Sequence, residues 1–199
     1  MPDFTNRDPR TPGFWDERFD GAFTPWDRGG VPAQLASWLA SATPGRVLIP
    51  GCGAAWELQA FSAAGWQACA IDFSAAAVVA AQQAVGPWRE RVQLADFFDF
   101  DPGPLDLIYE RAFLCAMPRE MWPRVVQRWA ALLPPGALLL GYFFFDEQPK
   151  GPPFGAARAE LEQLMSAHFS LEQEAAVPDS IPVFRGKERW MAWRRKKAL

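Results

Sequence analysis

The sequence predicts an α/β fold built on a parallel sheet, and two observations support this. Short apolar segments typical of strands alternate with segments of helical periodicity from residue 31 onward. The chain has 199 residues, of which 50 % are hydrophobic, and this suits one domain with its own core. We therefore expect a single domain, residues 1–199, with helices on both faces of the sheet.

The predicted strands are short apolar segments, most of them followed by a turn-forming or acidic residue. The longest apolar run, residues 137–145, is expected to be the central strand of the sheet. In chain order, the strands are predicted at residues 46–50, 67–72, 91–95, 105–109, 137–145, 169–177 and 188–193.

The predicted helices carry apolar side chains three or four positions apart, and several have clear end signals. Ser74 stands where an N-cap residue is expected, and Pro134-Pro135-Gly136 ends the strongest apolar stripe. Residues 148–155 are rich in Pro and Gly and are predicted to form a loop. The helices are predicted at residues 31–42, 56–64, 74–84, 122–133 and 156–167.

Composition and charge narrow the classes of function. The 20 Lys and Arg against 23 Asp and Glu give a net charge of -3, which offers no general attraction to nucleic acid. The basic run at residues 194–197 is expected to be a solvated tail. Three cysteines without C-x-x-C spacing argue against a disulfide framework or a metal site. No signal-peptide core or membrane-spanning run is found, so we expect a cytoplasmic protein. We also expect a monomer.

A glycine turn and an acid mark the expected ligand site. Gly51 and Gly53 follow the first strand, and Asp72 ends the second. In a parallel sheet both lie at the edge where ligands bind, so the carboxylate of Asp72 is placed to accept the hydroxyls of a ribose. An ordinary strand–helix turn and a helix-capping Asp are the alternatives.

The ligand is expected to be S-adenosylmethionine rather than a dinucleotide. Trp56 occupies the third position of the G-x-G-x-x-G pattern, where a dinucleotide fold needs a glycine for close packing. Asp96 and Phe97 follow the third strand, where an adenine would lie, and the Asp96 carboxylate can accept from its amine. Core packing is the alternative role for Phe97 and its aromatic neighbours.

Motifs along nearly the whole chain resemble those of the thiopurine S-methyltransferase family, which includes the plant-type halide/thiol methyltransferases. They occur in the family's order: FWDERFDGAFTPWDRG, VLIPGCG, AIDFS, LADFF, YERAFLCAMP, LLPPGALLL, GPPF, PDSIP and RGKERW. The resemblance implies a Rossmann-like class I methyltransferase with a mostly parallel seven-stranded sheet and an antiparallel last strand. Residues 1–30 would form a lid over the cofactor.

The resemblance also implies roles for single residues. Gly51 and Gly53 would carry the methionine end of S-adenosylmethionine, and the indoles of the lid would enclose it, although these indoles have core packing as their alternative role. No metal is implied, and the product would be S-adenosylhomocysteine. The expected cofactor-binding residues are Trp15, Trp26, Gly51, Gly53, Asp72, Phe73, Ser74, Asp96, Phe97 and Glu110.

The acceptor is expected to be a small molecule: a thiol, a halide or a selenium compound. Glu110 replaces the family's usual Asp, and Arg111 matches the thiopurine branch, whereas the TPWD and PDSIP segments are similar to the halide/thiol branch. Arg111 is the expected catalytic residue, orienting an anionic acceptor, unless it only pairs with Glu110 or another acid. Phe14, Phe113 and Phe154 are expected to form the apolar acceptor pocket.

Methyl transfer from a sulfonium mainly requires positioning and removal of water, and a soft nucleophile needs little help from a base. His168 is the single histidine and is expected at a helix end on the surface, and Cys52 and Cys115 are expected to be buried and inert. The alternatives to an S-methyltransferase are a regulatory protein that binds S-adenosylmethionine without turnover, a small-molecule O- or N-methyltransferase, and an NAD-linked oxidoreductase.

Overall fold

Seven strands form one mixed sheet in the computed structural model, which describes residues 3–148 and 150–197. In chain order they are β1 (Arg46–Pro50), β2 (Gln67–Asp72), β3 (Val92–Leu94), β4 (Leu107–Arg111), β5 (Leu138–Phe144), β6 (Phe169–Ala176) and β7 (Glu188–Arg195). Their order across the sheet is β3-β2-β1-β4-β5-β7-β6. The first five strands run parallel, and β7 is antiparallel to both β5 and β6. The expected fold class is therefore confirmed.

The strands lie within two residues of their predicted ends, but one predicted place in the sheet is wrong. The apolar run at residues 137–145 forms β5, whereas β4 holds the middle position that was predicted for it. Both strands are covered on two faces and are almost wholly buried. An apolar run therefore identifies a strand in the interior of the sheet. Its position in the strand order depends on the connections between strands, which the run does not encode.

The helices predicted from periodicity are confirmed within three residues at each end. Ser74 is the N-cap of α4, and its hydroxyl oxygen accepts a hydrogen bond from the Ala77 N–H at 3.1 Å. Short 3₁₀ helices lie at Gly86–Arg91, Leu114–Ala116 and Arg119–Met121. In chain order the helices are α1 (Pro12–Asp20), α2 (Ala33–Leu39), α3 (Trp56–Ala63), α4 (Ala75–Ala84), α5 (Trp122–Leu132) and α6 (Arg158–Ser166).

Helix α1 lies in the N-terminal segment (residues 3–30) and is not marked by the sequence periodicity. Only Phe14 of its nine residues is buried, so no apolar stripe distinguishes one face. It begins with Pro12 in its first turn, a position where proline fits a helix. Its place is set by contacts with α4 rather than by burial of a core face.

Two apolar layers cover the two faces of the sheet because successive strand residues point to opposite sides. Val47 and Ile49 of β1 pack with α2, α3 and α4, whereas Leu48 packs with α5 and α6. The stripe predicted for α5 forms its buried face, with Trp122, Val125, Val126 and Trp129 in contact with the core.

The ends of the predicted single domain, residues 1–2 and 198–199, lie outside the described residues, as does Pro149 of the predicted loop 148–155. The basic run is not a solvated tail at its start. Arg194 and Arg195 are the last residues of β7, and Arg195 Nε donates to the Ala130 carbonyl at 3.0 Å. Pairing with β5 and β6 continues the strand through these arginines, because their long side chains fold back along the edge of the sheet.

Gly141→Ala is expected to destabilise the fold strongly. Gly141 pairs with Glu110 across β4 and β5, and a Cβ at this position would overlap the backbone of Glu110. We expect the free energy of unfolding to fall by about 3 kcal/mol in urea denaturation, because two buried strands would have to separate. Gly30→Ala is the control, since a Cβ there has no atom within 4 Å. Equal stability of the two variants would contradict this account of the β4–β5 contact.

Candidate functional site

A cavity of about 720 Å³ lies at the carboxyl edge of the sheet. Its floor is formed by residues 51–54 after β1, by Asp72 and Phe73 at the end of β2, and by residues 95–98 after β3. Arg111 at the end of β4 and residues of the N-terminal segment complete the wall. This is the edge at which open α/β sheets bind ligands, and the volume suits a small organic molecule.

The glycine turn after β1 needs the backbone freedom of glycine. Gly51 has φ 57° and Gly53 has φ 51°, so both lie in the left-handed region that side chains rarely adopt. A Cβ at Gly51 would also collide with the ring of Phe113. The turn therefore brings bare backbone to the cavity immediately before α3.

Asp72 holds this turn against the end of β2. Its Oδ2 accepts a hydrogen bond from the Gly53 N–H at 3.0 Å, and its Oδ1 accepts one from the Ser74 N–H at 3.0 Å. Burial raises the pKa of Asp72 to about 6, and the backbone N–H groups oppose that rise. The carboxylate is thus ionised at neutral pH, beside the glycine turn as the sequence predicts.

Asp96 and Phe97 lie on the cavity floor after β3. Phe97 is buried and meets the ring of Phe113 edge to face, with centroids 4.9 Å apart. Asp96 is exposed, and its Oδ1 accepts a hydrogen bond from the Phe98 N–H at 2.8 Å. The pair thus offers an apolar ring and a carboxylate to whatever lies beside it.

Aromatic side chains of the N-terminal segment line the opposite wall. Trp15 and Trp26 meet edge to face with centroids 5.4 Å apart, and Phe14 packs against Trp15 at 4.9 Å. The indole N–H of Trp15 donates to the Pro9 carbonyl at 2.8 Å, which fixes the orientation of its ring. The guanidinium of Arg18 lies 3.2 Å from the centroid of Phe14.

Three polar contacts fasten the N-terminal segment to the rest of the chain. Asp16 Oδ1 accepts hydrogen bonds from the Ser74 hydroxyl at 2.6 Å and from the Ala76 N–H at 3.1 Å. The indole N–H of Trp56 donates to Asp27 at 2.9 Å. Arg28 forms an ion pair with Asp179 in the loop before β7. The segment is therefore fastened at its middle by Asp16 and near its C-terminal end by Asp27 and Arg28.

Arg111 has one arm in an ion pair and one arm free. Its Nη1 donates to Glu188 at 2.8 Å, and the Ser180 hydroxyl donates to the other oxygen of Glu188 at 2.6 Å. The guanidinium also lies 4.4 Å from the ring centroid of Tyr142. Nη2 is buried and has no hydrogen-bond partner among the described residues. The arginine thus pairs with an acid, but with Glu188 rather than Glu110, and keeps a donor for a ligand.

Three residues predicted for the site do not line the cavity. The Ser74 hydroxyl caps α4 and contacts Asp16, and Phe154 packs into the core beneath α5 and α6. Glu110 is buried behind the wall, where its carboxylate accepts hydrogen bonds from the Phe113 and Leu114 N–H groups at 3.1 Å. Burial raises the pKa of Glu110 to about 8, and those two N–H groups oppose the rise. The other predicted residues all border the cavity.

Seven charged residues that border the cavity are absent from the sequence prediction: Arg7, Arg10, Arg18, Asp27, Arg28, Glu57 and Arg124. Glu57, in the first turn of α3, is only 7 % exposed and borders the cavity. An acid directly after the glycine turn is a signal that was available in the sequence. Arg18 had no such signal, because the helix that directs it, α1, is not marked by periodicity.

The sulfur and imidazole groups have the surroundings expected for them. Cys52 and Cys115 are buried, and burial raises the pKa of both thiols, which keeps them protonated and poorly nucleophilic. His168 follows α6, away from the cavity.

Across residues 3–148 and 150–197, no three His, Cys, Asp or Glu side chains gather as metal ligands. In that same part of the chain, no helix has the length and apolar character to cross a membrane.

The family model described as thiopurine S-methyltransferase (TPMT) matches residues 10–196. The chain is 28 % identical over 197 residues to a probable thiol methyltransferase 2 of Arabidopsis thaliana, an alignment that covers 94 % of this chain and 87 % of the relative. It is 29 % identical over 192 residues to thiocyanate methyltransferase 1 of the same plant, covering 92 % and 85 % of the two chains.

Among solved structures, the chain is similar to the 1,6-didemethyltoxoflavin-N1-methyltransferase of Burkholderia thailandensis. The TM-score is 0.74 with 18 % sequence identity, and the alignment covers 98 % of this chain and 94 % of that one. That crystal structure contains 1,6-didemethyltoxoflavin and S-adenosylhomocysteine. At this identity the similarity concerns the fold.

Asp16→Ala is expected to loosen the N-terminal segment. The change removes the two hydrogen bonds that the α4 terminus donates to Asp16, at a cost of about 1–2 kcal/mol. We expect faster deuterium exchange in α1, measured by mass spectrometry, with exchange in β1 and β4 unchanged. Asp20→Ala is the matched control, because Asp20 is an exposed residue at the end of the same helix. Identical exchange in α1 of both variants would contradict a fastening role for Asp16.

Proposed function

This chain belongs to the thiopurine S-methyltransferase family and is an S-adenosylmethionine-dependent methyltransferase, and on that premise we propose that it methylates a small thiol. The two plant relatives are named for thiol and thiocyanate methylation, and this supports a soft nucleophile as acceptor. Halides and selenium compounds share that chemistry and belong to the same proposal. The cytoplasmic location and the monomeric state expected from the sequence stay predictions.

The free arm of Arg111 is the observation that carries the proposal. It is a largely buried, permanently charged donor in the wall of a cavity that aromatic side chains and five other arginines also border. A thiolate or halide placed beside it would lose its water and gain one strong hydrogen bond. A neutral alcohol or amine would gain less from that donor, because it carries no negative charge.

The residues present fit the methyl donor. The glycine turn admits the backbone of an amino acid without steric conflict, and Asp72 offers a carboxylate to ribose hydroxyls. Phe73 borders the same corner, and the positions of Asp96 and Phe97 on the cavity floor support a role for them in binding the adenine. When bound, S-adenosylmethionine supplies a methyl group on a positively charged sulfur, which is a good leaving group.

Each wall of the cavity has its own task in this proposal. Trp15 and Trp26 exclude water and present ring surfaces that attract a sulfonium by cation–π interaction. Phe14 and Phe113 form the apolar surface for the acceptor. Arg111 orients the acceptor sulfur, and in-line displacement then depends on how closely the walls hold both reactants.

The predicted residues that lie behind the wall act as positioning residues. Ser74 holds Asp72 through its N–H and the N-terminal segment through its hydroxyl. Glu110 fixes the backbone at Phe113 and Leu114, and so the ring that faces Gly51. Phe154 supports the same wall from the core, beside the cavity residues 151–153.

Binding of S-adenosylhomocysteine is expected to weaken as the pH falls below the pKa of Asp72. The pKa of Asp72 in the folded protein, about 6, lies above the ordinary value of 3.8 for an aspartate, so the free site loses its carboxylate charge in mildly acidic solution. We expect the dissociation constant to rise about tenfold between pH 7.5 and pH 5, because only the ionised form accepts both hydroxyls. Isothermal titration calorimetry measures it. Asp72→Asn is expected to bind weakly at both pH values, and a persistent pH dependence in this variant would assign the effect to another group.

Arg111→Lys is expected to lower methyl transfer while preserving the fold. Lysine keeps the charge that pairs with Glu188 but lacks the second guanidinium arm. We expect kcat/KM for thiols to fall on the order of 10- to 100-fold with unchanged binding of S-adenosylhomocysteine. Arg189→Lys is the matched control, since Arg189 pairs with Glu174 away from the cavity. Wild-type rates for every thiol would remove Arg111 from the acceptor site.

The direct test is a product screen with methyl-labelled S-adenosylmethionine. Alkyl thiols, aryl thiols, a thiopurine, iodide and a selenol are offered in turn, and methylated products are collected from solution and headspace. We expect methylated thiols. Binding of S-adenosylmethionine without any product would favour a regulatory role, and methylated phenols or amines would favour an O- or N-methyltransferase.

A further inference from the structure

Glu57 is a buried carboxylate in the wall of the cavity. It lies in the first turn of α3, directly after the glycine turn, and is 7 % exposed. A buried charge without a partner is costly, so such a group needs either a counter-ion or a function. Glu57 is not among the residues proposed above to bind S-adenosylmethionine.

Charged and titratable groups face Glu57 from three elements. Arg111 and Tyr109 do so from β4, Asp27 and Arg28 from the N-terminal segment, and Cys52 from the glycine turn. Both arginines are already paired, with Glu188 and Asp179 respectively. Burial raises the pKa of Glu57, and the attraction of Arg111 and its own backbone N–H oppose the rise.

Four acids line the cavity, and three of them accept hydrogen bonds from other residues. Asp72 accepts from two backbone N–H groups, Asp27 accepts from Trp56 and from the Gly29 N–H, and Asp96 accepts from the Phe98 N–H. Among the described residues, no other residue donates a hydrogen bond to the carboxylate of Glu57. Asp27 and Asp96 accept through one oxygen each and are more exposed, so Glu57 is the buried lining acid to which no other described residue donates.

The free acceptor and a free donor border the same space. Arg111 Nη2 is buried without a partner, and Arg111 is the charged group that most strongly affects Glu57. A thiol satisfies both, because its S–H donates to a carboxylate while its sulfur accepts from a guanidinium. A thiolate alone would satisfy only the arginine.

We propose that Glu57 is the general base that removes the proton of the acceptor thiol as Arg111 receives the developing thiolate. The inference rests on the proposed function, thiol methylation. The S–H proton moves to the Glu57 carboxylate, and its bonding electrons stay on sulfur. The sulfur then forms a bond to the methyl carbon as the bond from that carbon to the sulfonium breaks. The products are a methyl thioether, neutral S-adenosylhomocysteine and protonated Glu57, which returns its proton to water.

A base matters only for thiols that are protonated at neutral pH. An alkyl thiol has a pKa near that of cysteine, about 8.5 or higher, whereas a nitro-substituted aryl thiol is already ionised in neutral water. We expect Glu57→Gln to lower the ratio of kcat/KM for propanethiol to that for 4-nitrothiophenol about 100-fold at pH 7. Glu57→Asp, which keeps a carboxylate, is expected to restore part of that ratio.

The controls separate a base from an anchor or a structural residue. Glu90→Gln makes the same change at an exposed site outside the cavity and is expected to leave the ratio unchanged. Calorimetry with S-adenosylhomocysteine and thermal unfolding accompany each variant. A folded Glu57→Gln protein with an unchanged ratio overturns the proposal. Equal losses for both thiols with weaker S-adenosylhomocysteine binding also overturn it, since Glu57 would then hold the cofactor. Failure of the wild-type protein to methylate either thiol would instead count against the proposed function.

Discussion

The carboxylate of Asp72 is the contact on which the site depends. It joins the glycine turn after β1 to the start of α4 by accepting the N–H groups of Gly53 and Ser74. The hydroxyl of Ser74 in turn donates to Asp16 and so fastens the N-terminal segment. One buried charge thus links sheet, turn and covering segment. Its desolvation is offset by two charge-assisted hydrogen bonds, which leave the second lone pair of each oxygen for a ligand.

The other buried charges are neutralised within the protein to different degrees. Glu188 is satisfied by Arg111 and Ser180, and Arg28 by Asp179. Arg111 keeps one unpaired arm, and the Glu57 carboxylate accepts from its own backbone N–H but from no other described residue. In a low-dielectric wall such unsatisfied groups cost stability, and they are the groups that a reactant can satisfy.

The fold and the walls of the acceptor pocket determine different properties of the protein. The fold of the sheet is shared with an N-methyltransferase of only 18 % identity. Enzymes with one fold act on many different acceptors, so the residues that line the cavity, rather than the fold, determine which acceptor is used. Here those walls are Phe14, Phe113 and the indoles of the N-terminal segment, closed on one side by Arg111. Aromatic surface of this kind excludes water from the cavity.

The sequence by itself determined the strands and five of the six helices, and it brought Gly51, Gly53, Asp72, Asp96 and Phe97 to one edge of the sheet. Periodicity, helix caps and strand ends are local signals, which is why they can be predicted from sequence. Tertiary structure alone decided that β4 is the middle strand, that Arg111 pairs with Glu188, and that Glu110 faces away from the cavity. Residues 111 and 188 meet because β5 brings β4 and β7 together, and no local pattern encodes a contact across three strands. Which charge stays unpaired follows from those long-range contacts.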